Sequence, residues 1–263
     1  MLHSLVLKIQ TLASGSRGNV TYIASDTTSI LVDVGLSLPG LLKRMKDANI
    51  NPEQIDAILI THEHSDHIMG LTAFLRKYKT AVHIHEIARG TVSAPAELLK
   101  TFNSRFEIGD ISVDFFSVPH DSQFCFGYTF QNEDAKISVA TDLGRAGAEV
   151  LAKMAGSQIV MLESNHDLGR LNRNTKYPVW LKRRIAGGAG HLSNTATSLA
   201  VAELYKLNVQ QVILAHLSQE NNSPNLAYSY VRDYLASKGI TEGSDISIDV
   251  ATQDEISVVF QID

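Results

Sequence analysis

The sequence predicts a layered α/β (α+β) fold in which two sheets pack face to face with helices on the outside. Three observations point there. Short runs of Ile, Val and Leu stop abruptly at one polar residue, in "ILVD" at Asp33, "ILITH" at His62, "FFSVPH" at His120, "SVATD" at Asp142, "IVMLE" at Glu163 and "VILAH" at His216. Such unbroken apolar runs bounded by turn residues are the pattern of strands buried on both faces. Amphipathic stretches with capping residues lie between them, and these must cover the outer faces of the sheets. No linker-like Pro/Gly/Ser tract or repeat divides the chain, so residues 1–263 read as a single domain.

Taken in order, residues 5–33 are strand-rich, with "LASGSRGN" at 12–19 as a connection between strands. The glycines of that connection could make a tight turn that faces backbone amides, Ser16 or Asn19 toward phosphate, but it lacks the Lys and the strand-to-helix setting of a nucleotide-binding loop, so it is expected to be a strand connection near the site. A helix is expected over 37–48 and a strand up to His62. Residues 66–78 place Ile68, Leu71, Leu75 and Tyr78 on one helical stripe, with Asp66 where the helix dipole favours a negative charge. "AVHIHE" sets His83 and His85 on one face of a strand in a structural role, and 104–141 is again strand-rich. Ser193 caps one helix, Ser223 followed by Pro224 opens another, and strands close the chain around 246–251 and 256–261.

Composition narrows the function. At 44% hydrophobic and 19% charged the chain is an ordinary globular protein, and its net charge of −5 argues against nucleic-acid binding through a global positive field. A local basic patch stays open. Cys125 is the only cysteine, which excludes an intrachain disulfide and thiolate metal sites and fits a reducing compartment. No apolar run approaches the roughly 20 residues that span a bilayer, and Lys8 and Gln10 interrupt the first segment where a signal peptide needs an apolar block. The expected location is cytoplasmic, with no membrane partner.

The chemistry is concentrated in "ILITHEHSDHIMG", residues 58–70. In an extended loop His62 and His64 project to the same side and can grip one cation, because side chains alternate with period two. Asp66 and His67 sit where the chain turns into helix, so they diverge from that pair and can meet a second cation. Imidazole and carboxylate suit Zn²⁺ or Mn²⁺, with Fe²⁺ less favoured, and two ions about 3.5–4 Å apart are a recognised hydrolytic device.

"THEHSDH" resembles the H-x-H-x-D-H signature of the metallo-β-lactamase superfamily. The resemblance implies the αββα sandwich and a ligand set in which His62, His64 and His120 hold one metal. It gives Asp66, His67 and His216 to the other, with Asp142 as the bridge and Asp33 supporting the metal loop from behind. "LASGSRGN", "ESNHD", "YPVWLKRRI", "GHLSN" and "LAHLSQENN" further resemble the YycJ (WalJ) family of bacterial metallohydrolases. That resemblance implies a metal-dependent 5′→3′ exonuclease acting on double-stranded DNA.

A mechanism read from the residues stands beside it. Two cations activate a water for attack on phosphorus and polarise a phosphoryl oxygen, and the leaving oxygen then needs a proton. His191, after the flexible "AGGAG" run, is the expected acid, with Glu163 orienting its imidazole and Asp66 counted among both the ligands and the catalytic residues. From Gly169 to His191 the chain carries Arg170, Arg173, Lys176, Lys182, Arg183 and Arg184 and no acidic residue, a segment suited to phosphate. His166 is a further candidate substrate contact. Tyr177 and Trp180 interleave with the basic residues, where they could stack on a base, but a Trp at helical spacing is more often core packing, and the core is the favoured reading.

Other readings remain. A hydrolase of a lactone, thioester or β-lactam needs no arginine-rich arm, a cyclic phosphodiester is a further alternative substrate, and a di-iron redox protein of the same fold has a carboxylate where His64 stands. A metal-stabilised binding module needs no separate acid. The stretch from Asp142 to His216 is too short for the large inserted domain of some RNA-processing relatives. Oligomeric state leaves no sequence signal.

Overall fold

The computed structural model describes residues 6–262, so the first residue of the segment expected to be strand-rich from residue 5 lies outside the described residues. The first sheet contains β1 (Leu7–Ala13), β2 (Val20–Ala24), β3 (Ser29–Val32), β4 (Ala57–Leu59), β5 (Ala81–His85) and β6 (Leu99–Phe102). The second contains β7 (Phe106–Ile108), β8 (Ile111–Ser117), β9 (Phe126–Gln131), β10 (Lys136–Ala140), β11 (Ile159–Glu163), β12 (Gln211–Ala215) and β13 (Ser247–Val250). A last strand, β14 (Phe260–Ile262), returns to the first sheet beside β1. Its order is β14-β1-β2-β3-β4-β5-β6, and that of the second is β13-β12-β11-β10-β9-β8-β7.

Each sheet is antiparallel in one half and parallel in the other. In the first, β3, β4, β5 and β6 run parallel; in the second, β10, β11, β12 and β13 do. Parallel strands need crossovers, and these supply the helices. They are α1 (Leu38–Asp47), α2 (Ser65–Ile68), α3 (Leu71–Tyr78), α4 (Ala148–Met154), α5 (Leu168–Arg173), α6 (Val179–Ile185), α7 (Asn194–Lys206) and α8 (Pro224–Ser237).

Three cores define the layers. Leu7, Ile9, Ile23 and Val32 meet Tyr128, Ile137, Met161 and Ile213 between the sheets. Leu41 and Met45 of α1 and Phe74 and Leu75 of α3 cover the outer face of the first sheet. Val150 of α4, Val201 of α7 and Val231 and Leu235 of α8 cover the second. The order helix, sheet, sheet, helix is the αββα sandwich that the sequence predicts. Among the described residues no helix is long and apolar enough to cross a membrane.

Several expectations are corrected. The helix expected over 66–78 is broken between α2 and α3, because the chain at Gly70 crosses the preceding loop too closely. A Cβ there would stand 2.0 Å from the Leu36 carbonyl oxygen, and the Gly70 N–H donates to the Val34 carbonyl at 2.9 Å. The last strand is confined to 260–262, while Ser257 is tied to β1 by its N–H donating to the Thr11 carbonyl at 2.9 Å. Trp180 is 66% exposed instead of core, since α6 lies outermost and none of its residues is buried. His83 stacks on Phe106 and His85 on Phe126, which fits their structural reading.

Candidate metal centre

Open α/β sheets place their sites beyond the carboxyl ends of parallel strands. Here Asp33 follows β3, His62 follows β4, Asp142 follows β10, Glu163 ends β11 and His216 follows β12, while His120 comes in after β8. Three of these residues adopt left-handed backbone, Asp33 at φ 63°, Asp142 at 55° and His216 at 53°. A non-glycine residue there costs on the order of 1–2 kcal/mol. The strain is held by fixed partners: the Asp33 N–H donates to the Leu59 carbonyl and the His216 N–H to Ser14 Oγ, both at 2.8 Å.

The side chains converge. His62, His64 and His120 bring ring nitrogens within 4.8 Å of one another, as do the ligand atoms of Asp66, His67 and His216. Asp142 lies between the groups, with Oδ2 3.2 Å from His67 Nε2 and Oδ1 3.9 Å from His120 Nε2. Three of the converging atoms, His62 Nε2, Asp142 Oδ2 and His216 Nε2, are buried without a hydrogen-bond partner. Buried polar atoms normally have partners, so unpartnered ligand-type atoms within these clusters fit a pair of divalent cations with nitrogen and oxygen ligands.

Charge divides the cluster in two. Burial, helped by the charge of His67, pushes His62 well below the usual imidazole range, and burial lowers His120 as well. These imidazoles are neutral at neutral pH. His67 behaves oppositely: burial opposes its charge, but Asp142 and Asp33 raise it to about 10. His216 is likewise raised, by Asp142 first, against burial. The buried carboxylates thus hold positive charge on this side, as protons or as metal.

Supporting groups fix the rings. Asp33 Oδ2 accepts from His67 Nδ1 at 2.7 Å and from Thr61 Oγ1 at 2.8 Å, while its Oδ1 accepts from the Thr61 N–H at 2.9 Å. Glu163, expected to orient His191, does more. Its Oε1 accepts from His191 Nδ1 at 2.8 Å and from His216 Nδ1 at 2.7 Å, and its Oε2 from the N–H groups of Leu192 at 2.8 Å and Leu143 at 3.2 Å. Burial opposes the Glu163 charge, but His191 and His216 hold it down to about 2. His191 in turn is raised above the ordinary imidazole value, burial notwithstanding, by Glu163.

Asn19, expected only in a strand connection near the site, supports the metal loop itself. Its Oδ1 accepts from the Gly15 N–H at 2.8 Å and its Nδ2 stands 3.1 Å from His67 Nε2, so "LASGSRGN" does brace the metal loop.

The basic segment is partly spoken for. Arg184 pairs with Asp121, next to His120, and Lys176 pairs with Glu220. Arg170 donates to the Asn222 carbonyl at 2.9 Å and Lys182 to the Asn172 carbonyl at 2.7 Å, and neither is paired with a carboxylate among the described residues. Arg173 and Arg183 are exposed. His166 is corrected: it is 0% exposed and burial lowers it to about 4, so it presents no surface to a substrate.

Comparison with known proteins agrees with this architecture. Residues 28–217 match the family model described as the beta-lactamase superfamily domain. The chain is 35% identical over 249 residues to the exodeoxyribonuclease YycJ of Bacillus anthracis, covering 92% of this chain and 94% of that one. It is 34% identical over 250 residues to the exodeoxyribonuclease WalJ of Streptococcus pneumoniae, covering 92% and 93%. Among solved structures, the metallo-β-lactamase fold protein YhfI from Bacillus subtilis superposes with a TM-score of 0.73 at 13% identity, covering 98% of this chain and 100% of that one. The last likeness concerns the fold alone.

Proposed function

The chain belongs to the β-lactamase superfamily and is a metal-dependent hydrolase, and we propose that it is a two-metal phosphodiesterase that degrades double-stranded DNA as a 5′→3′ exonuclease. The observation that carries the proposal is the pair of ligand clusters meeting at Asp142. His62, His64 and His120 would hold one ion and Asp66, His67 and His216 the other, with Asp142 shared and Asp33 supporting His67. Zn²⁺ or Mn²⁺ suits such a donor set, Fe²⁺ less so. When bound, the two ions supply a water made acidic enough to attack at neutral pH and a Lewis acid for the phosphoryl oxygen.

The chain's own residues do the rest. His191 Nδ1–H is committed to Glu163, which leaves Nε2 to carry the proton for the leaving oxygen. Glu163 raises the proton affinity of His191 above that of an ordinary imidazole, the direction an acid needs. At 21% side-chain exposure, against 2% for Asp142, His191 is among the few members of the cluster that solvent and substrate reach. Asp66, at 23%, is another, and its carboxylate can serve the reacting water as well as the ion. Arg170, Arg173, Lys182 and Arg183 supply charge for the phosphates beside this opening. Lys176 and Arg184, being paired, position the segment. The whole chain acts as a single domain in the cytoplasm.

The test is release of label from 5′-labelled duplex DNA, single-stranded DNA and RNA with Mn²⁺ or Zn²⁺, for wild type, His64→Ala and His191→Ala. The proposal expects wild type to cut duplex DNA, and both variants to lose at least roughly a hundredfold in rate. Hydrolysis of a thioester or lactone with none of the nucleic acids cut would overturn it.

A further inference from the structure

A tryptophan is among the residues that proteins most consistently cover, yet the indole of Trp180 is 66% exposed and its neighbour Val179 is 63% exposed. The helix that carries them has no buried residue. It is held by polar ties: Lys182 Nζ to the Asn172 carbonyl at 2.7 Å, Arg184 to Asp121, and the His191 N–H to the Ile185 carbonyl at 2.8 Å. Its placement therefore follows the catalytic loops more than the core.

Spacing then relates the indole to the site. Trp180 and Arg184 are four residues apart and share one stripe of α6, separated by about 6 Å along the axis. Arg184 reaches Asp121, the residue after His120, and His120 Nδ1 stands 3.1 Å from the Gly190 carbonyl oxygen. The stripe that carries the indole thus leads to the metal cluster. Arg183, three residues after Trp180 and just before Arg184, is exposed, and no described carboxylate pairs with it or with Arg173.

We infer that Trp180 is a stacking platform for a nucleobase of the substrate strand, with Arg183 on the adjoining phosphate. The inference rests on the reading of the substrate as a nucleic acid. Stacking aromatics interleaved with cations are how proteins hold unpaired strands without reading sequence. A second copy of this chain fits worse, because a two-fold contact through this face would set Arg173 and Arg183 against their own equivalents. An enzyme that takes nucleotides from a duplex end needs such a surface to receive the unpaired terminal base.

Trp180 is the only tryptophan, so its emission reports on this position alone. The metal-loaded protein is titrated with a phosphorothioate-protected duplex bearing a short 5′ single-stranded tail, and saturable quenching is expected. Kinetics are then compared for wild type, Trp180→Ala and Trp180→Phe on normal DNA and on DNA whose terminal nucleotides are abasic. W180A should raise KM roughly tenfold, W180F much less, and the abasic end should raise the wild-type KM by a similar factor without adding to that of W180A. Cleavage without quenching, or additive penalties, overturns the stacking site and leaves the nuclease reading standing. Quenching without any cleavage keeps the stacking site and sinks the nuclease reading. Neither quenching nor cleavage overturns both. A W180A protein that changes its size in solution while keeping its KM for DNA assigns the face to a second copy and overturns the inference.

Discussion

Glu163→Gln is the most informative single perturbation. The carboxylate is 0% exposed and receives four donors on two oxygens: two imidazole N–H groups on Oε1 and two backbone N–H groups on Oε2. A glutamine offers one oxygen and one NH₂, so in either orientation two of the four donors face another donor. Unsatisfied buried donors cost about 1–3 kcal/mol each, which sets the loss at about 2–6 kcal/mol. The proton affinity of Glu163, set by the same two imidazoles, gives a figure of the same order. Its displacement from 4.5 to about 2 corresponds to about 3 kcal/mol in favour of the charged form. Because the folded value is depressed, this stability is fully present above pH 4.5 and is lost as pH falls toward 2. E163Q should therefore melt roughly 6–12 °C lower at neutral pH in a chain of this size, with the deficit shrinking through that acid window. It should also bind the ion beside His216 about 10–100-fold more weakly, since that imidazole loses its orienting acceptor. Thermal unfolding across pH and calorimetric metal titration measure both. A variant with the wild-type melting curve and wild-type metal affinity would refute the reasoning.

Other substitutions separate the parts. Gly35→Ala places a Cβ 1.8 Å from the Asp66 carbonyl oxygen, so it should destabilise the fold by about 1–3 kcal/mol and reduce metal content, measured by denaturant unfolding and elemental analysis. Asp33→Asn removes the carboxylate that fixes His67 Nδ1, and elemental analysis should show preferential loss of one metal equivalent. Metal binding at pH 7 should release protons, because His67, held at about 10, is protonated before the ion displaces its proton, and metal affinity should rise with pH; titrations in buffers of different ionisation enthalpy read this. Arg183→Ala should weaken DNA binding uniformly across sequences and reduce the slope of log affinity against log salt by about 1, measured by fluorescence anisotropy.

Much of the site was legible because buried parallel strands announce themselves as Ile and Val runs, and the first polar residue after each run is where such sheets place chemistry. Asp33, Asp142 and His216 were found in this way although they lie far apart in the chain. What was illegible depends on depth or on close approach, and periodicity encodes neither. Helical spacing put Trp180 on a stripe but could not say that the stripe of α6 faces outward. The periodic pattern over 66–78 concealed the break at Gly70, which comes from contact with the loop at Leu36. The strand β6, half exposed at a sheet edge, has no apolar run to mark it. The second role of Glu163, holding His216, emerges only where β11 and β12 lie side by side.

The central claim is that residues from separate strand ends hold two cations at Asp142. An anomalous-scattering map of crystals grown with Mn²⁺ or Zn²⁺ tests it most directly. The account predicts two peaks, one among His62, His64 and His120 and one among Asp66, His67 and His216, with Asp142 touching both. Full occupancy by a single ion elsewhere, or no peak within reach of Asp142, would contradict it.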